Sequence, residues 1–149
     1  MNRKFSAKRE EILDLLQSTK VHPGARWVYE QLKSQTLGRV PGGIPGLSLA
    51  TVYRNLNIFC QEEKILSLGT VNGEERFDGI PQPHPHFICS CCGAIFDLPL
   101  NNVKSLLKGN LYKEKSFLID FRKTVFYGLC KECCEYSPEP KNGKDPDAA

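Results

Sequence analysis

Ser48-Leu-Ala-Thr-Val-Tyr-Arg-Asn-Leu-Asn-Ile-Phe-Cys-Gln-Glu62 is the stretch on which the reading of the fold turns. Ser48 is suited to cap a helix running from Leu49 to about Glu62, because its hydroxyl can accept from a free amide of the first turn. Val52, Leu56, Phe59 and Cys60 fall at the i, i+4, i+7, i+8 spacing of a buried stripe. Ala50, Thr51, Tyr53, Arg54 and Asn57 lie on the other face. Downstream, Ile65-Leu-Ser-Leu-Gly-Thr-Val71 and Glu74-Glu-Arg-Phe77 read as strands joined by Asn72-Gly73, the dipeptide best suited to a type I′ hairpin turn. Upstream, Ser6 is placed to cap a helix with Ile12, Leu13 and Leu16 on one face, ending between Thr19 and Pro23. A second helix fits Ala25 to Ser34, with Val28, Tyr29 and Leu32 inward, and Gly38-Arg-Val-Pro-Gly-Gly-Ile-Pro-Gly46 reads as a loop. Three helices followed by a hairpin predict a winged helix-turn-helix over residues 1–79.

Ile80-Pro-Gln-Pro-His-Pro85 carries three prolines and reads as a linker, residues 80–85. A second domain is expected over 86–136. His86-Phe-Ile-Cys89 and Ala94-Ile-Phe-Asp97 read as short strands around a cysteine turn, Val103 to Lys108 as a helix, and Phe117 to Leu129 as one or two strands. The Pro/Lys/Asp-rich tail, 137–149, reads as disordered. The fold class is therefore α+β, an N-terminal winged helix-turn-helix with a small C-terminal α/β domain.

A length of 149 residues excludes a large multidomain enzyme. The charged start, Met1 to Glu10, lacks an apolar segment behind it, and no run of 18 apolar residues occurs, so a cytoplasmic protein away from the membrane is expected. Charge is uneven: ten basic against six acidic side chains through residue 66, then ten against eleven. The overall +3 is too weak by itself to demonstrate nucleic-acid binding. A basic front with an exposed helix face is nevertheless what a DNA reader requires, with Arg54 toward guanine or phosphate, Tyr53 toward a thymine methyl or phosphate, and Thr51 and Asn57 toward the backbone. An ordinary amphipathic surface helix has the same pattern.

Six of the seven cysteines lie in the second half. Cys89-Ser-Cys-Cys92 and Cys130-Lys-Glu-Cys133 form two C-x-x-C turns 37 residues apart, each able to direct two thiolates at one ion. The expected product is a structural zinc site of four cysteines, closed to water; Cys91 or Cys134 could take a neighbour's place. Thiol redox use of the turns would require them to be metal-free. Cys60, on the apolar stripe, reads as core. The histidines of the chain are His22, His84 and His86, with Asp78 and Asp97 nearby in sequence. Alternation in an extended strand puts His84 and His86 on one side. Three imidazoles and two carboxylates suit Fe²⁺, Mn²⁺ or Zn²⁺, although histidines in a linker can equally be solvated. No His-Glu-x-x-His, G-x-S-x-G or phosphate-binding loop occurs, which disfavours a hydrolase.

Ser48-Leu-Ala-Thr-Val-Tyr-Arg-Asn-Leu56 resembles the recognition-helix motif of the ferric uptake regulator (Fur) superfamily. His22-Pro-Gly-Ala-Arg-Trp-Val-Tyr29, Glu75-Arg-Phe-Asp78, His84-Pro-His-Phe-Ile-Cys-Ser-Cys-Cys-Gly93 and Gly128-Leu-Cys-Lys-Glu-Cys133 resemble its other motifs. The resemblance implies that Cys89, Cys92, Cys130 and Cys133 hold structural zinc in a dimerisation domain. It implies that His22, Asp78, His84, His86 and Asp97 hold a regulatory Fe²⁺ or Mn²⁺, and that Ser48, Ala50, Thr51, Tyr53, Arg54 and Asn57 face double-stranded operator DNA. Aspartates at 78 and 97, where iron-responsive members typically have glutamates, are similar to the peroxide-sensing PerR type. The expected function is a homodimeric metal-dependent repressor, not an enzyme, in which peroxide and bound Fe²⁺ oxidise His22 or His84. Iron or zinc sensing is the alternative. Phe121-Arg122 stands where many relatives have a histidine pair, and the 38–46 loop is longer than usual.

Overall fold

The computed structural model describes residues 7–39, 44, 46–107 and 118–136. The chain divides into two units, Met1–Gln82 and Pro83–Ala149. The cap expected at Ser6 and the tail 137–149 lie outside the described residues, as does most of the loop between Val40 and Pro45.

In the first unit, α1 spans Ala7–Ser18, α2 Ala25–Arg39 and α3 Leu49–Gln61. Ile12 and Leu16 from α1, Val28 and Leu32 from α2, and Val52, Leu56 and Phe59 from α3 share one core, closed below by Ile65 and Phe77. The stripe read from the sequence is thus the buried one, with Cys60 packed at its edge. Helix α2 runs past its expected end at Ser34 to Arg39. Glycine inside a helix costs only about 1 kcal/mol, so Gly38 does not stop it, whereas Pro41 would. Ser48 caps α3 as expected, its side chain accepting from the Thr51 amide at 3.1 Å.

Arg9 is a buried charge that the apolar pattern of α1 did not reveal. Its guanidinium stacks over the Phe59 ring at 5.4 Å and donates to Glu62 Oε1 at 3.3 Å. Lys64 lies 2.8 Å from Oε2 of the same carboxylate. These neighbours, the Lys64 contact first, hold the Glu62 carboxyl below its ordinary range.

Strands β1 (Leu66–Val71) and β2 (Glu74–Asp78) pair antiparallel, with Val71 opposite Glu74 and Leu66 opposite Asp78. Asn72 and Gly73, with φ of 52° and 80°, form the turn that the Asn-Gly pair requires. The amide of Phe77 donates to the Pro23 carbonyl at 3.0 Å, tying β2 to the segment that enters α2. Gly79 follows directly: a Cβ there would lie 2.2 Å from the Leu16 carbonyl oxygen. Gly79→Ala is therefore expected to destabilise the first unit by about 2–3 kcal/mol, read as a lowered thermal midpoint, because backbone must move to admit the methyl.

The second unit is a three-stranded sheet, order β4-β3-β5, of β3 (His86–Cys89), β4 (Ile95–Asp97) and β5 (Val125–Gly128). Strand β3 pairs antiparallel with β4 and parallel with β5. Helix α4 (Leu100–Leu107), a 3-10 turn at Phe121–Lys123 and α5 (Lys131–Tyr136) complete the described residues. The expected helix at 103–108 is therefore longer at its start, and α5 was not anticipated. Its six residues hold two cysteines and no buried apolar side chain, so no periodic signal exists to read. Pro85 is buried and its carbonyl accepts from Leu98 N at 2.9 Å, so His84 and His86, which flank it, sit on a fixed frame.

Candidate metal centres and nucleic-acid interface

Parallel pairing of β3 with β5 decides the first centre. It sets Cys89 opposite Gly128, so the turn after β3 and the turn after β5 emerge at the same end of the sheet. Ser90 N donates to the Gly128 carbonyl at 2.8 Å and Gly93, with φ of 73°, closes the first turn by donating to the Cys89 carbonyl at 2.9 Å. The four sulfurs of Cys89, Cys92, Cys130 and Cys133 lie within 4.8 Å of one another, and Cys92 Sγ is 3.8 Å from Cys130 Sγ. Tetrahedral zinc with bonds of about 2.3 Å demands sulfurs about 3.8 Å apart, so the donor set fits that ion. The amides of Cys92 and Cys130 donate to Cys89, the latter at 3.3 Å, and hold its thiol down to about 6. Its neighbours answer in the opposite direction: Cys133, against Cys130 first, is pushed well above the ordinary thiol range. Four protons cannot all leave such a cluster without a cation to replace them, which is the behaviour of a metal-ligating set. Cys91 and Cys134 are exposed and outside this group of four; the Cys134 thiol points to the Leu129 carbonyl at 3.6 Å. Cys60, half-buried in the first unit, has its thiol raised to about 11 by burial and by Glu75.

The histidines and aspartates form one group in each unit. In the second unit, the β3–β4 register puts His86 directly opposite Asp97. Asp97 Oδ1 lies 3.2 Å from His86 Nε2 and 3.0 Å from His84 Nε2, and the two rings sit 4.4 Å apart between centroids. Two residues of extended chain bring both imidazoles to one side, as the alternation required. His86 is fully buried, His84 half-buried and Asp97 exposed, so both rings converge on one carboxylate oxygen at the edge of the sheet. In the first unit, His22 and Asp78 are both buried, with Nε2 and Oδ2 3.8 Å apart. Asp78 Oδ1 accepts from Ile80 N at 2.8 Å, which orients Oδ2 toward the ring. Each group has the imidazole and carboxylate chemistry that borderline divalent cations take.

On α3, Ala50, Tyr53, Arg54 and Asn57 are exposed, and Tyr53 is 43% accessible despite its size. Ser48 and Thr51 are engaged with each other at 2.9 Å across the cap, so their first role is to start the helix at the right residue. Asn55, a polar side chain on the apolar side of α3, is buried and donates to the Thr51 carbonyl at 2.8 Å. Phe121, at the position of the missing histidine pair, is buried beneath Lys104, 5.7 Å from its ring.

These features define a class: a winged-helix protein joined to a zinc-type cysteine cluster, with histidine and aspartate donors in both units. The chain belongs to the ferric uptake regulator family, whose model matches residues 1–124. It is 30% identical over 133 residues to the peroxide operon regulator of Bacillus subtilis, an alignment covering 87% of this chain and 83% of that one. Among solved structures, the peroxide stress regulator of Campylobacter jejuni aligns with TM-score 0.64 and 27% identity over 85% of this chain and 88% of its own. The ferric uptake regulator of Helicobacter pylori shares the fold with TM-score 0.69 at 24% identity, covering 93% and 85% of the two chains. Among the described residues no helix is long and apolar enough to cross a membrane.

Proposed function

We propose that this protein is a cytoplasmic, homodimeric, metal-dependent repressor that binds operator DNA and senses hydrogen peroxide, without catalytic turnover of its own. The convergence of His84 and His86 on a single Asp97 oxygen carries this reading, because it is a ready donor group whose carboxylate is aspartate. In this reading Cys89, Cys92, Cys130 and Cys133 hold structural zinc, and the 86–136 segment dimerises. His22 and Asp78 join His84, His86 and Asp97 as ligands of one regulatory ion, Fe²⁺ or Mn²⁺. An ion that needs donors from residues 1–79 and from 86–136 binds best to one arrangement of the two, and so selects the arrangement in which paired α3 helices enter successive major grooves. A hundredfold gain in operator affinity corresponds to about 2.7 kcal/mol of coupling, and by linkage the operator tightens metal binding by the same factor.

Bound Fe²⁺ would supply the electron that splits the O–O bond of hydrogen peroxide beside an imidazole. His22 and His84 are the rings this reading assigns to that oxidation: overall, one peroxide oxygen would be inserted at a ring C–H, the other would leave as water, and the one-oxygen adduct would be a poor donor. Loss of the ligand releases the arrangement and the DNA. The names of the Bacillus subtilis and Campylobacter jejuni relatives support this reading over iron or zinc sensing. Peptide mass spectrometry of Fe²⁺-loaded, peroxide-treated protein is expected to show addition of one oxygen to the peptide holding His22 or His84, and none with Mn²⁺. If neither peptide gains oxygen while operator binding still follows Fe²⁺, the protein is an iron sensor. Operator binding that responds to trace free Zn²⁺ and ignores peroxide makes it a zinc sensor.

A further inference from the structure

His22 has φ of 49°, a left-handed conformation that a residue with a Cβ rarely adopts unless its surroundings impose it. Strand β2 supplies that imposition. Arg76 donates from Nε to the His22 carbonyl at 2.5 Å and from Nη2 to the Val21 carbonyl at 3.2 Å, so one guanidinium spans two consecutive peptides. The Phe77 amide holds the next carbonyl, that of Pro23, at 3.0 Å. The Glu74 carboxylate covers Gly24, where a Cβ would fall 2.0 Å from Oε1. Residues 76 and 78 lie on the same face of the strand, since side chains alternate. The face that grips the His22 backbone therefore also presents Asp78 to the His22 ring, at 3.8 Å.

We propose that Arg76 is a positioning residue for His22: its fork locks the left-handed turn and thereby sets the imidazole where it and Asp78 can share one cation. This rests on the reading of His22 as a regulatory ligand. A planar fork with donors in fixed relation suits two adjacent carbonyls, whereas the single ammonium of lysine satisfies one well and the second poorly. Without Arg76 both ligand side chains survive, but the turn that aims one of them relaxes toward ordinary φ. Ligand-orienting contacts of this kind govern affinity as the ligands themselves do.

The test is titration of zinc-loaded, full-length protein with Mn²⁺, comparing wild type, Arg76→Gln, Arg76→Lys, His22→Ala and Val71→Ala. The last trims a buried residue at the far end of the same hairpin and controls for loss of stability alone. Arg76→Gln is expected to weaken Mn²⁺ binding about ten- to a hundredfold, with Arg76→Lys between it and wild type. Val71→Ala is expected to bind as wild type. Amide exchange at Val21, His22 and Gly24 of the protein without Mn²⁺ should quicken in Arg76→Gln and hold steady in Val71→Ala. Wild-type affinity in Arg76→Gln, with His22→Ala defective, overturns the positioning role and leaves the ligand assignment standing. Wild-type affinity in His22→Ala overturns the ligand assignment and the positioning role with it. Equal losses in Arg76→Gln and Val71→Ala reduce the effect to stability and also overturn it. Should Arg76→Gln fail to fold, Arg76→Lys decides: wild-type affinity together with wild-type exchange at Val21, His22 and Gly24 sinks the proposal.

Discussion

Cys130→Ser is expected to abolish zinc retention and to unfold the second unit within the full-length protein. Cys130 is buried, its amide bonds to Cys89 Sγ, and its own sulfur lies 3.8 Å from Cys92 Sγ, so it touches both cysteines of the first turn. The unit has little else to hold it. Its strands are three or four residues long, and its described buried apolar side chains are chiefly Ile88, Ile95, Val103 and Phe121. Short three-stranded sheets are marginal without a packed face. A structural zinc site contributes on the order of 10–16 kcal/mol of apparent binding free energy, which equals or exceeds the whole stability of a typical domain. Metal analysis should find stoichiometric zinc in wild type and none in the variant, and near-ultraviolet dichroism should lose the contribution of the buried Phe121 ring. Retained zinc with an unchanged melting profile would count decisively against the assignment. Acid should act like the substitution, since zinc requires thiolates and protons displace it.

Asp97→Asn is expected to weaken Mn²⁺ binding at least about a hundredfold while leaving stability within about 0.5 kcal/mol of wild type. The substitution keeps shape and removes charge, and the side chain is 36% exposed, so no cavity and no buried orphan results. What it removes is the anionic oxygen shared by His84 and His86, at 3.0 and 3.2 Å. In gel-shift titrations the variant should bind operator weakly whether Mn²⁺ is present or absent. Mn²⁺ affinity within threefold of wild type would exclude Asp97 as a ligand, and His86→Leu, which replaces a fully buried ring by a side chain of similar volume, would then show whether the strand contributes any donor.

Much of this molecule is local, and what is local was legible. The stripe on α3, the Ser48 cap and the Asn72-Gly73 turn follow from side-chain periodicity and from backbone preferences of single residues, and each holds in the structure. The two C-x-x-C turns announce themselves because ligand spacing within a turn is a property of a few consecutive residues. The end of α2 differs from the reading for the same reason: a glycine-rich stretch lowers helix propensity without forbidding helix, and α2 continues through Gly38 to Arg39.

What the chain does not display in one dimension is pairing across distance. Parallel alignment of β3 with β5, which selects Cys89, Cys92, Cys130 and Cys133 over Cys91 and Cys134, depends on a register between segments far apart in the chain. Arg9 looks like a surface charge until α3 closes over it, and Arg76 looks like one until the turn at His22 meets β2. By itself the sequence determined which residue types were available for metal and for DNA, because chemistry and short-range periodicity travel with the residues. Only the tertiary structure decided which donors share an oxygen, which thiols share a corner and which cation holds a strained turn, because those are distances between elements, and packing sets them.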